Sequence, residues 1–361
     1  MNVRRASKAT KLDQVNSKAS LVQKILGWPS LIDPDIRAPP AENYHDDKSV
    51  HQPQHGLPII NWKKKTCLIG VKNLFRQFIW LSTAKAADGE GTTCAFYKNP
   101  SLNRYTNIQL YDCTRVVLKD GLGTDYIHAS YVDGYKQKSA YILTQGPTKN
   151  TIADLWRMVW QEKVVNIVML TGFFEKHKSK CAMYFPTTNR KNMNLGAFFI
   201  SLVDMEVQNG NLLALVKVTC TLTNEEHHTL IAMYAKWPDA MIPGNTKDLI
   251  SFVYMIKDAR ASMVRRILPN WGGHPKGPPM IVHCSAGIGR SATFAILDIC
   301  LDMLLHVQRV NVAEVTRKVR AQRAGAVQTP WQYLFLHYAI LVHAKDLGYI
   351  PSKEKTNHHA N

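Results

Sequence analysis

The sequence predicts a single α/β domain built on a mixed sheet, and three observations carry that reading. Apolar runs of strand length cluster in mid-chain, longer segments with helical spacing stand before, between and after them, and no internal repeat divides the chain. Of the 361 residues, 45% are hydrophobic and 20% charged, an ordinary balance for a chain that buries a core of its own.

Taken in order, residues 1–68 read as a basic, Pro/His-rich arm. The stretch "IDPDIRAPPAENYHDDKSVHQPQHGLP" has no sustained periodicity, so linker or loosely packed arm is expected there. Within the arm, Leu21, Val22, Ile25, Leu26 and Trp28 recur at near-helical spacing and are stopped by Gly27 and Pro29. They read as a helical turn docking on the main domain, or as a motif that docks an unknown protein or an anionic surface.

The main block runs over 69–350, and 351–361 reads as a flexible tail. In the block, "YILTQG", "NIVMLTGF", "FFISLVDMEV" and "LLALVKVTCTLT" have the pattern of strands. "TIADLWRMVWQEK", "TKDLISFVYMIKDARASM" and "SATFAILDICLDMLLHV" have that of helices. Thr151 is placed to cap the first helix, and Asn245 or Thr246 the second.

Composition removes several function classes. No run of about 18 apolar residues occurs, so no membrane span is expected. The start "MNVRRASKATKLDQ" lacks the apolar core of a secretory signal. The seven cysteines show no CxxC pair, so free thiols in a reducing, cytoplasmic setting are expected. The net charge of +18 is spread along the chain without zinc-finger spacing, an aromatic RNA-binding signature or a dense basic stripe. Anionic substrates suit it better than nucleic acid, and no metal or cofactor is expected.

The chemistry concentrates in "IVHCSAGIGRSAT", residues 281–293. Cys284 ends an apolar run, and the small residues Ser285, Ala286, Gly287, Ile288 and Gly289 lead into a helix that starts near Arg290. Gly287 and Gly289 let backbone N–H groups turn inward on an anion, and the helix N-terminus adds its dipole. Arg290 can fork two oxygens of a phosphate, which a lysine cannot. The same positive field acts on Cys284, and a thiol so placed has a pKa of roughly 3.5 to 7.5. A nucleophilic thiolate at the floor of an anion cup is the result.

At these residues the chain resembles the tyrosine-specific protein tyrosine phosphatases, cysteine-dependent enzymes that carry this signature loop. The resemblance extends through "NRYTNIQLYDCTRVVL", "DYIHASYVDGY", "YILTQGP", "LWRMVWQ", "EKHKSKCAMYFP", "AKWPDA" and "RAQRAGAVQTPWQY", in the family's order. It implies a highly twisted mixed sheet flanked by helices, and hydrolysis of phosphotyrosine in proteins through a phosphocysteine on Cys284. It also implies that Asp239 protonates the leaving phenolate from a mobile lid, with Trp237 on the hinge side, and later acts as base. Gln328 and Gln332 match the residues that orient the hydrolytic water. Ser291 is placed to hydrogen-bond the departing thiolate, and His283 to support the electrostatics of the loop. Tyr105 resembles the aromatic that stacks on the substrate ring and sets the depth of the pocket. Glu175 resembles the carboxylate that holds the signature arginine, and Lys180 the lysine that approaches the lid.

Several positions depart from the family. Asn107 stands where an aspartate usually anchors the substrate's backbone, so peptide binding without that charge is expected to be weaker. Ala240 and Met241 replace an aromatic and a glycine in the lid, which is expected to disfavour closure because Met241 restricts φ where glycine would not. His128 replaces an asparagine, and Ala326 a methionine. Two other readings stay open at this point, a phosphotyrosine-binding pseudophosphatase and a phosphoinositide phosphatase.

Overall fold

A short apolar strand, β12 (Met280–His283), lies at the centre of the molecule because every one of its side chains is buried. The structure, a computed structural model, describes residues 56–83 and 85–351. In chain order the strands are β1 (Leu57–Pro58), β2 (Arg115–Val117), β3 (Tyr126–Gly134), β4 (Gln137–Thr144), β5 (Asn166–Met169), β6 (Phe174–Glu175) and β7 (Lys178–Ser179). After them come β8 (Asn192–Asn194), β9 (Phe198–Gln208), β10 (Asn211–Cys220), β11 (Glu226–Met233), β12 and β13 (Arg309–Val310). The helices are α1 (Ile59–Leu81), α2 (Cys94–Lys98), α3 (Ile152–Gln161), α4 (Thr246–Ile267), α5 (Arg290–Val307), α6 (Val312–Gln322) and α7 (Pro330–Asp346).

Nine strands form one mixed, twisted sheet in the order β2-β3-β4-β12-β5-β11-β10-β9-β8. β12 pairs parallel with both β4 and β5, and β11 pairs parallel with β5, while the flanking pairs are antiparallel. The buried strands read as continuous apolar runs because both faces of the sheet are covered. On β12, Met280 and Val282 face one core while Ile281 faces the other, and β5 and β10 alternate in the same way. The first core is closed by α1 and α4 to α7, and the second by α3 with Trp156 at its centre. α5 is apolar nearly all round, and 14 of its 18 residues are buried.

Each expected strand and helix overlaps one of these elements, although several run past its end, as "NIVMLTGF" runs past Met169. Asn245 caps α4, its Oδ1 accepting from the N–H groups of Lys247 and Asp248 at 3.0 and 3.2 Å. Thr151 does not cap α3. Its hydroxyl accepts from Thr148 N–H at 2.9 Å, and Thr148 opens a 3-10 turn that leads into the helix. The expected boundary at 68/69 falls inside α1, which breaks at Gly70 (φ 68°) but runs on both sides of it. Ile59 and Trp62 are buried in the first core, and β1 pairs with β13, so the packed domain begins before residue 69. Pro58 sits directly before the helix as its N-cap residue. The Leu21–Trp28 cluster and residues 352–361 lie outside the described residues.

Candidate active site

The loop after β12 is a cup whose carbonyls face outward. Arg323, fully buried, donates to the carbonyls of Ala286 and Gly287, each at 3.2 Å. The carbonyl of Ile288 accepts from Val327 N–H at 2.9 Å. With those oxygens engaged on the outer side, the loop N–H groups are left to the inside, and Gly287 N–H already points at Cys284 Sγ, 3.3 Å away. Gly287 has φ 72°, and a Cβ there would lie 2.1 Å from the carbonyl oxygen of Thr144, so only glycine closes this turn. A Cβ on Gly289 would lie 2.9 Å from Gln328 Oε1 and 3.1 Å from Gln332 Nε2. Its absence lets both glutamines approach the cup.

Cys284 is buried, and burial alone would raise its pKa. The Arg290 charge, the Ser291 hydroxyl and the N–H groups of Ser291 and Gly287 outweigh that, and hold the thiol below its usual value. The Ser291 hydroxyl is itself buried with no other partner. The contrast with Cys181 is sharp, because burial without such donors pushes that thiol up to about 12. All seven cysteines are free, as expected.

Arg290, the first residue of α5, is 1% exposed and tightly held. Its Nη1 donates to Glu175 Oε1 at 2.6 Å and to the Trp237 carbonyl at 2.9 Å, and its Nη2 to Asp239 Oδ1 at 3.0 Å. Its Nε is buried without a partner. Glu175 is in turn fixed by the Thr171 hydroxyl at 2.8 Å and Gly172 N–H at 3.2 Å.

The segment Trp237–Met241 lies over the cup. Asp239 accepts from Lys180 Nζ at 2.6 Å as well as from Arg290. Burial would raise its pKa, but Lys180 and Arg290 hold the carboxyl below the usual range. Trp237 is fully buried, and its Nε1 donates to the Met241 carbonyl at 2.9 Å. The left-handed backbone of this segment falls on Ala240 (φ 58°), not on Met241. The expectation that Met241 strains the lid is therefore corrected. The carbonyl of Met241 also accepts from Gln332 Nε2 at 3.4 Å, and Gln332 Oε1 from Gln328 N–H at 3.0 Å.

On the opposite wall, Tyr105 donates to Ser285 Oγ at 2.8 Å, and Ser285 donates onward to the Lys180 carbonyl at 3.1 Å. Asn107 is exposed on the same loop. His283 is fully buried, donates from Nδ1 to the Cys284 carbonyl at 3.1 Å, and accepts from the Tyr184 hydroxyl at 2.9 Å. Burial pushes it down to about 4, so it is neutral and braces the strand end.

Some positioning residues escaped the sequence reading. Arg104 ties the Tyr105 loop to the carbonyls of Gly146 and Pro147, each at 2.7 Å. Arg323 joins the cup to His128, which accepts at Nδ1 (3.0 Å) and donates from Nε2 to the Ile108 carbonyl (2.8 Å). The departure at His128 thus links the Tyr105 loop to the outside of the cup. Val327, β-branched yet at φ 58°, holds Gln328 at the rim, and Arg320 binds the carbonyls of Ala326 and Val327 at 2.6 and 3.0 Å. The arginines stand inside segments that carry the family resemblance, but nothing in the sequence says which carbonyls they bind.

A sequence profile described as Protein-tyrosine phosphatase matches residues 99–342. The mouse "Tyrosine-protein phosphatase non-receptor type 9" is 39% identical over 259 residues, which are 70% of this chain and 43% of that protein. The mouse "Tyrosine-protein phosphatase non-receptor type 2" is 35% identical over 251 residues, 69% of this chain and 59% of that protein. The rat "Receptor-type tyrosine-protein phosphatase zeta" is 36% identical over 258 residues, 66% of this chain and 10% of that protein. The chain thus spans less than two thirds of the length of these relatives.

Proposed function

This chain belongs to the protein-tyrosine phosphatase family, and on that premise we propose that it hydrolyses phosphotyrosine in proteins through a phosphocysteine on Cys284. The observation that carries the reading is a thiol of lowered pKa at the floor of a cup that has its carbonyls turned out and Arg290 Nε left unpartnered.

The Cys284 thiolate attacks phosphorus, and the bond from phosphorus to the phenolic oxygen breaks. Asp239 donates its proton to that oxygen, so tyrosine leaves neutral. In the free protein Asp239 is an ionised partner of Arg290 and Lys180. A phosphate dianion takes over the Arg290 guanidinium and brings negative charge beside Asp239, which raises the carboxyl's pKa and lets it hold the proton. Water then attacks the phosphocysteine, oriented by Gln328 and Gln332, with Asp239 taking its proton. The phosphorus–sulfur bond breaks, the thiolate returns under the Ser291 hydroxyl, and inorganic phosphate leaves. Tyr105 walls the pocket, so its depth selects an aryl over a shorter alkyl phosphate.

The free state of all seven cysteines supports a cytoplasmic setting, and no described helix is long and apolar enough to cross a membrane. The test is turnover of a phosphotyrosine peptide beside phosphoserine and phosphoinositide substrates. Turnover confined to phosphotyrosine is expected. Tight binding without turnover would instead identify a phosphotyrosine-binding module, and preferred turnover of the inositide a lipid phosphatase.

A further inference from the structure

A second cavity, of about 740 Å³, opens at the far end of the same two elements that carry the cup. β12 starts there with Met280 and ends at the cup with His283. α5 starts at the cup with Arg290 and reaches this cavity with Asp298, Asp302 and Leu305. Its walls mix apolar groups (Ala140, Val264, Leu268 and Met280 among them) with charge, and the charge is unbalanced. The cations Lys136, Lys257, Arg260, Arg265 and Lys276 face only the carboxylates of Asp298 and Asp302.

Those two carboxylates are already committed. Lys257 bonds to both, at 2.9 Å for Asp298, and the Tyr141 hydroxyl donates to the other oxygen of Asp298 at 2.7 Å. Arg260 and Lys276 feel Asp298 and Asp302 only at a distance, and neither forms a direct ion pair among the described residues. Arg260 Nη2 donates only to backbone carbonyls, those of Lys276 at 3.1 Å and of Pro278. Its Nη1 is buried without a partner. Lys276 Nζ donates to the Tyr135 carbonyl at 2.9 Å and stands 5.7 Å over the Tyr135 ring. Burial lowers both cations, Arg260 to about 10. A low-dielectric wall normally pairs such charges with an anion.

We propose that this cavity binds a small amphiphilic organic anion, its acid group on Arg260 and Lys276 and its hydrocarbon body against Val264, Leu268 and Met280. A cationic ligand is disfavoured because Lys257 already pairs with both carboxylates and the remaining wall charge is positive. A bare inorganic anion leaves the apolar walls wet. The volume falls in the range of about 300–1,000 Å³ usual for small-molecule sites.

Calorimetric titration of the full chain with decanoate tests this, with the cup first filled by vanadate so that the acid group cannot report on it. Saturable one-site binding and a raised melting temperature are expected with decanoate, and neither with acetate or decyltrimethylammonium. Lys276→Gln should weaken binding about tenfold, the effect of losing a charged hydrogen bond. Ala261→Trp, at an exposed position on the cavity wall, should abolish binding while leaving the unliganded melting temperature unchanged. Absence of saturable binding, equal binding of decyltrimethylammonium, or decanoate binding undiminished in a normally folded Ala261→Trp protein would each overturn the proposal.

Discussion

The cup and the lid meet where Arg290 donates to Asp239, yet they are built on opposite principles. In the cup, Cys284, Ser285, Arg290 and Ser291 are buried, the carbonyls of Ala286, Gly287 and Ile288 are bonded outward, and glycine sits where only glycine fits. In the lid, Met241 is 58% exposed, Ala240 holds a left-handed backbone, and Asp239 rests on two cations, Lys180 and Arg290. A preorganised anion site tolerates no drift, because each donor is aimed before the charge arrives. A lid works by changing posture, so its residues are free to vary as long as one posture places the acid.

The largest effect should come from the cup. Cys284→Ser is expected to lower kcat by about four orders of magnitude or more while substrate binding survives, because a hydroxyl in the same field stays protonated at neutral pH. Arg290→Lys should fail nearly as badly, since one ammonium cannot serve Glu175, the Trp237 carbonyl and a phosphate together. Steady-state kinetics with a phosphotyrosine peptide measures both: a tenth of the parent rate in Cys284→Ser would move the nucleophile elsewhere, and the same rate in Arg290→Lys would show that the two-pronged guanidinium is not needed.

Next comes the acid in the lid. Asp239→Ala should lower kcat by about two to four orders of magnitude with KM unchanged or lower. The pH profile separates the two regions. Cys284 must be ionised, so activity rises as pH climbs through its lowered pKa. Asp239 must be protonated in the complex, so activity falls as pH climbs through the value that the bound phosphate raises. Asp239→Ala should erase the falling limb and keep the rising one. For an aryl phosphate whose phenol is strongly acidic, the loss should shrink, because the leaving group needs no proton.

A smaller effect tests the outer support of the cup. His128→Asn keeps a side chain able to reach one partner but not both Arg323 and the Ile108 carbonyl. The Tyr105 loop should loosen, raising KM several-fold with kcat nearly constant. An equal fall in kcat would mean that the Arg323 brace also sets the geometry of the nucleophile.

The cup was legible in the sequence because its chemistry fixes residue type at Cys284, Gly287, Arg290 and Ser291, at set spacing. The core strands were legible because double coverage makes β4, β5, β10 and β12 plain apolar runs. What stayed hidden depends on partners far away in the chain. Arg323 looks like any surface cation until it is found fully buried behind Ala286 and Gly287. α1 looked like arm because the lysines at 63–65 and Pro58 mask the apolar face that Ile59 and Trp62 bury. The lid residue that bears the strain was likewise invisible, since sequence order does not say which of two neighbours takes the positive φ.

That last point yields the finest test. By family pattern, Phe at 240 with Gly at 241 would restore the lid. The geometry reverses this, because the left-handed residue is Ala240 at φ 58°, where a bulkier side chain is worse and glycine is better. Met241 needs no such freedom, and its carbonyl already accepts from Trp237 and Gln332. Removing the Cβ at 240 should favour the posture with Asp239 over the cup by about 1 kcal/mol, or roughly fivefold in population. Glycine also widens the choices of the alternative postures, which trims the gain. Ala240→Gly is therefore expected to raise kcat up to about fivefold with KM nearly constant if lid posture limits turnover. The Ala240→Phe/Met241→Gly double variant should fall below the parent in the same assay. The opposite ranking would show that the working posture of the lid is not the one in which Asp239 meets Arg290 and Lys180.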